Sequence, residues 1–497
     1  MSEAASDAAL FAFSNSYARM PERFFAMLPP TPVAEPRLVV VNDALAYDLG
    51  LDPDLLRSPE GIASLAGNHI PDGAQPLAMA YAGHQFGGWS AQLGDGRAIL
   101  LGEVIGRDGV RRDIQLKGSG PTPFSRMGDG RAALGPVLRE YIISEAMFAL
   151  GIPTTRSLAV VTTGEPVYRE QPLPGAILTR VATSHIRVGT FQYFAAREDT
   201  EALRLLADHV IARHFPDTGK ADNPYAALLE RVVKVQAELI ASWMLVGFIH
   251  GVMNTDNMAV GGETIDYGPC AFMDWYHPET VYSSIDQTGR YAYGNQPGMG
   301  QWNLIRLAQA LLPLIAAEED AAVEIAKPII NRFATYYETA YETGLAAKFG
   351  LSEVREGDPE LMQDLLARMA ANQADFTNTF RQLSTPGGAP RELFVDPTAF
   401  DAWSERWQER LAQQDLSDTE RQAAMRAVNP AIIPRNHLVE HALTAAVERA
   451  DFAPTFALKA ALETPFEDPA PDATIDGISL TLPPRPDQVV PATFCGT

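Results

Sequence analysis

HGVMNTDNMAV (His250–Val260), followed after a short gap by TIDYG (Thr264–Gly268), is the part of the chain that decides its fold. It sets Asn257 and Asp266 on two adjoining segments, with Asp256 directly before the asparagine. Amide and carboxylate oxygens from a loop and from the turn after it are hard donors of the kind that hold a divalent cation against a polyphosphate. Either segment alone reads as an ordinary turn, because Asp, Asn and Gly favour turns. What precedes them changes that balance. ERVVKVQAELIASWMLVGFIH (Glu230–His250) has apolar positions at helical spacing, so a long amphipathic helix delivers the chain into the loop.

Further upstream, SAQLGDGRAILLGEVI (Ser90–Ile105) offers two short strands around the turn Gly94-Asp95-Gly96-Arg97. GRDG (Gly106–Gly109) makes a second turn into VRRDIQLKG, so three sequential antiparallel strands are expected, with Lys117 near the end of the third. A glycine-rich loop, GSGPTPFSRMGDG, leads into RAALGPVLREYIISEAMFALG, a helix that carries Glu140 and stops at Gly151. RSLAVVTTG and GAILTRVA are two more strands. A lysine held by a glutamate presents one fixed positive charge to a phosphate chain. A strand lysine or a helix glutamate alone is most often a surface residue.

A turn between strands, a lysine on the third strand and a glutamate on the next helix, in that order before the Asn/Asp pair, is the layout of a protein kinase. One element is out of place. The kinase loop HRDxxxxN has its base two residues after the histidine, where this chain has Val252. Asp256 is the remaining acid of the loop, and a displaced base implies attack at a different phosphorus. Attack at the α-phosphate expels pyrophosphate and needs cations around the β and γ groups. Arg180 and Arg187 of TRVATSHIRVG are placed to supply them, since a guanidinium fork matches phosphate oxygens. His250 is assigned a backbone-orienting role, and His84 in YAGHQFGG has no assigned place. Walker A, HExxH and GxSxG motifs are absent.

Composition sets the outer bounds. A chain of 497 residues with 46% hydrophobic content buries a large core, and a net charge of −23 opposes broad binding to nucleic acid. The two cysteines, Cys270 and Cys495, exclude a disulfide framework and suit a cytoplasmic protein. No stretch approaches the roughly 20 apolar residues of a membrane span, and the first residues lack the pattern of a signal peptide.

The ordered set GDGR, QLKGSG, MGDGRA, LREY, TRVATSHIRVG, HGVMNTDNM and IDYGPCAFMD resembles the selenoprotein O family of kinase-fold protein adenylyltransferases, from about Pro76 onward. The resemblance implies ATP bound in a flipped orientation and transfer of AMP to Ser, Thr or Tyr hydroxyls of other proteins. It implies Asp256 as general base, Asn257 and Asp266 as ligands of Mg2+ (or Mn2+), and Lys117 with Glu140 as the ion pair at the nucleotide. Gly94, Gly96, Arg97, Lys117, Asp129, Gly130, Arg180 and Arg187 would contact ATP by the same matching, with Asp266 reaching it through the metal. Many eukaryotic members carry selenocysteine where this chain ends in Phe-Cys495-Gly-Thr.

The expected fold is α+β and two-lobed: an N-terminal arm (1–75), a small mixed lobe (76–190), a helical large lobe (191–463) and an extended proline-rich tail (464–497). The rivals to AMP transfer are an ordinary phosphotransferase and a nucleotide-binding pseudokinase scaffold. Cys270, four residues past Asp266, and Cys495 are a candidate redox pair that would pin the tail across the large lobe.

Overall fold

Ala98–Ile105 and Arg111–Lys117 are almost continuously apolar or buried, the mark of strands covered on both faces. In the computed structural model, which describes residues 10–494, they form an antiparallel hairpin with Ala98 opposite Lys117 and Ile105 opposite Arg111. The hairpin is the middle of a sheet ordered Phe25–Met27, Leu77–Met79, Ala98–Ile105, Arg111–Lys117, Pro172–Ala182, Arg156–Tyr168, Arg37–Val41, with Ala132–Ala133 paired beside Pro172–Ala182. Period-2 alternation divides its side chains. Leu100, Val160 and Leu178 pack toward the helix Leu134–Ala149, whereas Leu101, Val161 and Ile177 pack toward the helical residues Leu45, Leu56 and Leu65. Residues before 76 therefore supply both edges of the sheet and the cover of one face.

The first of the three expected sequential strands takes another course. Gly88–Ser90 pairs with Gly83–Gln85 in a separate ribbon. Leu93 and Asp95 then donate their amides to the carbonyls of Tyr81 and Met79, each at 2.9 Å. The Gly94 turn (φ 77°) thus lies beside the Leu77–Met79 strand instead of forming a hairpin with Ala98–Ile105.

The helix Pro224–Val246 is capped at its start by the Asn223 side chain, which accepts from Ala226 N, and has proline in its first turn. It ends at Gly247 in the left-handed region, φ 73°. It packs against Gln296–Ile315 and Glu319–Lys348. A second helical cluster surrounds Trp403, Phe380 and Met425. The fold is thus mixed α/β, with a sheet-rich part and a helical part. Immediately after Gly247, the two-residue strands Phe248–Ile249 and Ala271–Phe272 pair and bracket the loop that carries Asp256, Asn257 and Asp266.

Among the described residues from 464 onward, the paired strands are a small hairpin, Thr474–Ile475 with Ile478–Ser479. Its far end is fastened at Thr493, whose N donates to Tyr282 O at 2.7 Å and whose Oγ1 donates to Pro269 O at 2.5 Å. Cys495 lies outside the described residues. Cys270 is fully buried, and burial pushes its thiol up to about 12, so it is a packing group and not a reactive thiol. No helix among the described residues is long and apolar enough to cross a membrane.

Candidate active site

Strand register builds one side of the site. Gln115 and Lys117 are two apart on one strand and share a face, and Arg180 stands opposite Gln115 on the next strand. Lys117 Nζ lies 2.5 Å from Glu140 Oε2 and 2.7 Å from Asp266 Oδ1. The other Glu140 oxygen accepts from Arg180 Nη1 at 3.2 Å. Arg180 also grips Gln115 Oε1 through Nε (3.1 Å) and Nη2 (2.7 Å), and Gln115 Nε2 donates to Asp95 Oδ2 at 3.1 Å. All of these groups except the partly exposed Asp266 are buried, and they satisfy one another, which fixes each cation in a single orientation. Burial alone would raise the Glu140 carboxyl, but Lys117 and Arg180 outweigh it and hold the group below the usual range.

The helical part supplies the opposite side. His250 Nε2 donates to Ile265 O at 2.9 Å, and Val252 N approaches His250 Nδ1 at 3.4 Å, so the histidine clips the loop to the Asp266 turn. Asp266 sits at φ 68°, a strained value for a residue with a side chain. Against burial, Lys117 and then Arg180 and Arg97 hold its carboxyl ionised, well below the usual range. Asn257 donates its amide nitrogen to Val252 O at 3.0 Å, so its remaining polar atom is a hard oxygen donor.

Asp256 is only 5% exposed. Its Oδ2 accepts from Gln85 Nε2 at 2.9 Å, while Oδ1 is buried with no hydrogen-bond partner among the described residues. Burial pushes this carboxyl up to about 6, against the Gln85 hydrogen bond. The niche requires glycine at Gly83, where a Cβ would stand 2.5 Å from Asp256 Oδ1. Arg187 donates from Nη1 to Asp256 O at 2.8 Å and to Tyr81 Oη at 3.2 Å, with its guanidinium 4.5 Å above the Tyr81 ring.

These groups surround a cavity of about 240 Å3. Every residue assigned from the sequence to the base, the metal or the nucleotide lines it except Glu140, which stands behind Lys117 and Arg180 and holds them. Asp129 reaches the lining with its carboxylate engaged by Arg169 (2.8 and 3.2 Å), which ties down the glycine-rich loop at the mouth. Gly94 and Gly96 admit that loop: a Cβ at Gly94 would meet the Phe124 ring at 2.3 Å, and one at Gly96 would meet Phe124 O at 2.8 Å.

The sequence reading missed Tyr81, Gln85, Asp95 and Gln115. Gln115 was legible, two residues before Lys117 on the same strand face, and Asp95 lay inside the quoted turn. Gln85 carried no signal, because its partner Asp256 is 171 positions away.

No group of three or more His, Cys, Asp or Glu side chains suited to a metal occurs among the described residues. The pair that is present, one ionised carboxylate and one amide oxygen, fits magnesium, which keeps several waters and substrate phosphates as ligands. Of the cations around the cavity, Arg169 and Arg187 each keep a buried Nε without a hydrogen-bond partner among the described residues.

Comparison with known proteins shows the family. The sequence profile described as "Protein adenylyltransferase SelO" matches residues 8–463. The chain is 62% identical over 494 residues to the protein nucleotidyltransferase YdiU of Rhodopseudomonas palustris (strain BisB5), covering 98% of this chain and 99% of that one. It is 61% identical over 501 residues to the protein of the same name from Methylorubrum populi, covering 98% of this chain and 100% of that one. The chain belongs to the SelO family of protein adenylyltransferases.

Proposed function

We propose that this protein nucleotidyltransferase moves AMP from ATP to Ser, Thr or Tyr hydroxyls of other proteins and releases pyrophosphate. The observation that carries the reading is Asp256, a buried carboxylate with one unpartnered oxygen, raised to about 6 and placed beside Asn257, where the usual kinase position holds the inert Val252. In this reading Asp256 accepts the proton of the acceptor hydroxyl, whose oxygen bonds to the α-phosphorus as the bond to the β-phosphate oxygen breaks. Lys117, Arg180 and Arg187 orient the triphosphate and hold the charge that grows on the leaving pyrophosphate. Asn257 and Asp266 would hold a magnesium or manganese ion, which when bound neutralises phosphate charge.

The sheet-rich residues 76–190 and the helical residues 191–463 act here as two lobes with the cavity between them. The tail from 464 braces the second lobe, and the protein works in the cytoplasm, which its use of only two cysteines suits. Incubating the protein and a protein acceptor with ATP labelled at the α or the γ phosphate tests the reaction. Label from the α position on protein is expected. Label from γ would make it a phosphotransferase, and no label from either would leave a nucleotide-binding scaffold.

A further inference from the structure

The ribbon Gly83–Ser90 joins the base to the surface. His84 pairs opposite Trp89 and Gln85 opposite Gly88, around a two-residue turn of Phe86 (φ 52°) and Gly87 (φ 83°). Such a turn needs positive φ at both positions, which is unfavourable for a bulky Phe. Bonds to the catalytic loop hold the ribbon in place: His84 N donates to Thr255 Oγ1 at 2.7 Å, and Phe86 N donates to Asn254 Oδ1 at 3.0 Å. Side chains alternate along a strand, so while Gln85 turns inward to Asp256, His84 and Trp89 share the outer face with ring centres 4.8 Å apart.

That outer face is an aromatic and cationic surface. Trp302 meets His84 edge-on at 5.3 Å, and the guanidiniums of Arg290 and Arg306 lie over the Trp302 ring at 4.9 and 4.6 Å. Trp89 is 45% exposed, and an open depression of about 270 Å3 lies between it and Arg306. The chain has 62 acidic and 39 basic side chains, an excess of carboxylates over cations. Yet neither Arg290 nor Arg306 forms an ion pair among the described residues, and the Nε of each is buried without a partner. Stacking fixes the two guanidiniums and leaves their charge for an anion arriving from outside.

We infer that this surface docks an acidic stretch of the protein substrate, close to the hydroxyl presented to Asp256; the inference rests on the AMP-transfer reading. Carboxylates of the substrate pair with Arg290 and Arg306, and an adjoining apolar side chain lies on Trp89. Because the surface and the base occupy opposite faces of one short ribbon, the chain segment that docks also delivers its hydroxyl over a fixed, short span.

Binding without nucleotide tests this apart from the chemistry. The full chain is titrated against a fluorescein-labelled peptide with one serine flanked by Asp and Glu, and against its counterpart with Lys at those positions. The acidic peptide should bind at least about tenfold more tightly than the lysine peptide, with a preference that shrinks as salt rises. R290E/R306E should remove the preference, and W89A, which changes no charge, should weaken the acidic peptide several-fold, with ATP affinity unchanged in both. Equal binding of the two peptides, or a preference that survives in R290E/R306E, would overturn the inference. So would competition by free pyrophosphate or a single-stranded oligonucleotide as strong as that by the unlabelled acidic peptide. Loss of α-phosphate transfer with the peptide preference intact would count against the proposed reaction and leave the surface standing.

Discussion

Asp256→Asn should give a protein that is more stable and nearly inactive, with the stability gain appearing only as pH rises. Burial raises the Asp256 carboxyl from 3.8 to about 6. With a folded pKa above the unfolded one, folding favours the protonated acid, so its contribution is complete below the unfolded pKa and lost as pH rises through about 6. The gap corresponds to about 3 kcal/mol. At about pH 4 part of that is already lost, because the unfolded acid has begun to ionise, so the swing between about pH 4 and pH 8 is about 2 kcal/mol. Asparagine keeps an oxygen for the Gln85 hydrogen bond and places an amide nitrogen where Oδ1 was. Any fixed penalty for that nitrogen is the same at every pH and cancels from the swing. Calorimetric unfolding midpoints of both proteins across this range should diverge upward in favour of the variant. Turnover of the parent should climb through about pH 6 and level off, while the variant loses roughly 10² to 10⁴ in rate with ATP affinity nearly intact. A stability difference that stays constant with pH, or that turns against the variant as pH rises, would refute the buried-base argument.

Asp266→Ala should remove the gain in ATP affinity that magnesium confers on the parent, measured by calorimetric titration with and without the metal. Gly83→Ala places a Cβ 2.5 Å from Asp256 Oδ1, so it should displace the base and lower turnover about 10²-fold, with ATP affinity unchanged in the same titration. Arg180→Ala and Arg187→Ala should each weaken ATP more than AMP, since the proposed contacts are to phosphates that AMP lacks; equal losses for both nucleotides would remove them from the triphosphate.

Local pattern revealed what local physics controls. The helix ending at Gly247 and the strand carrying Lys117 follow from spacing, caps and alternation, and the order of Lys117, Glu140, Asn257 and Asp266 placed the cavity. The rest depended on partners far along the chain. Residues 90–93 have strand-like composition but follow Tyr81 and Met79, because Asp95 is drawn under the sheet by Met79 N and Gln115. Glu140 and Asp129 were both assigned to the nucleotide, but Arg180 and Arg169 engage their carboxylates, an arrangement invisible in a motif. Cys270 was offered, from its position after Asp266, as half of a candidate redox pair, and the core closes over it.

Thr493 fastens the segment just beyond Asp266 by bonding to Pro269, 224 positions earlier in the chain. At roughly 5–20 residues per second, a ribosome takes on the order of 10 to 45 s to travel that distance. Throughout that interval the nascent polypeptide holds its nucleotide-facing strands while the turn bearing Asp266 lacks its clasp. The bond that ties the Asp266 segment to residue 493 is therefore among the last contacts at this site that synthesis allows to form.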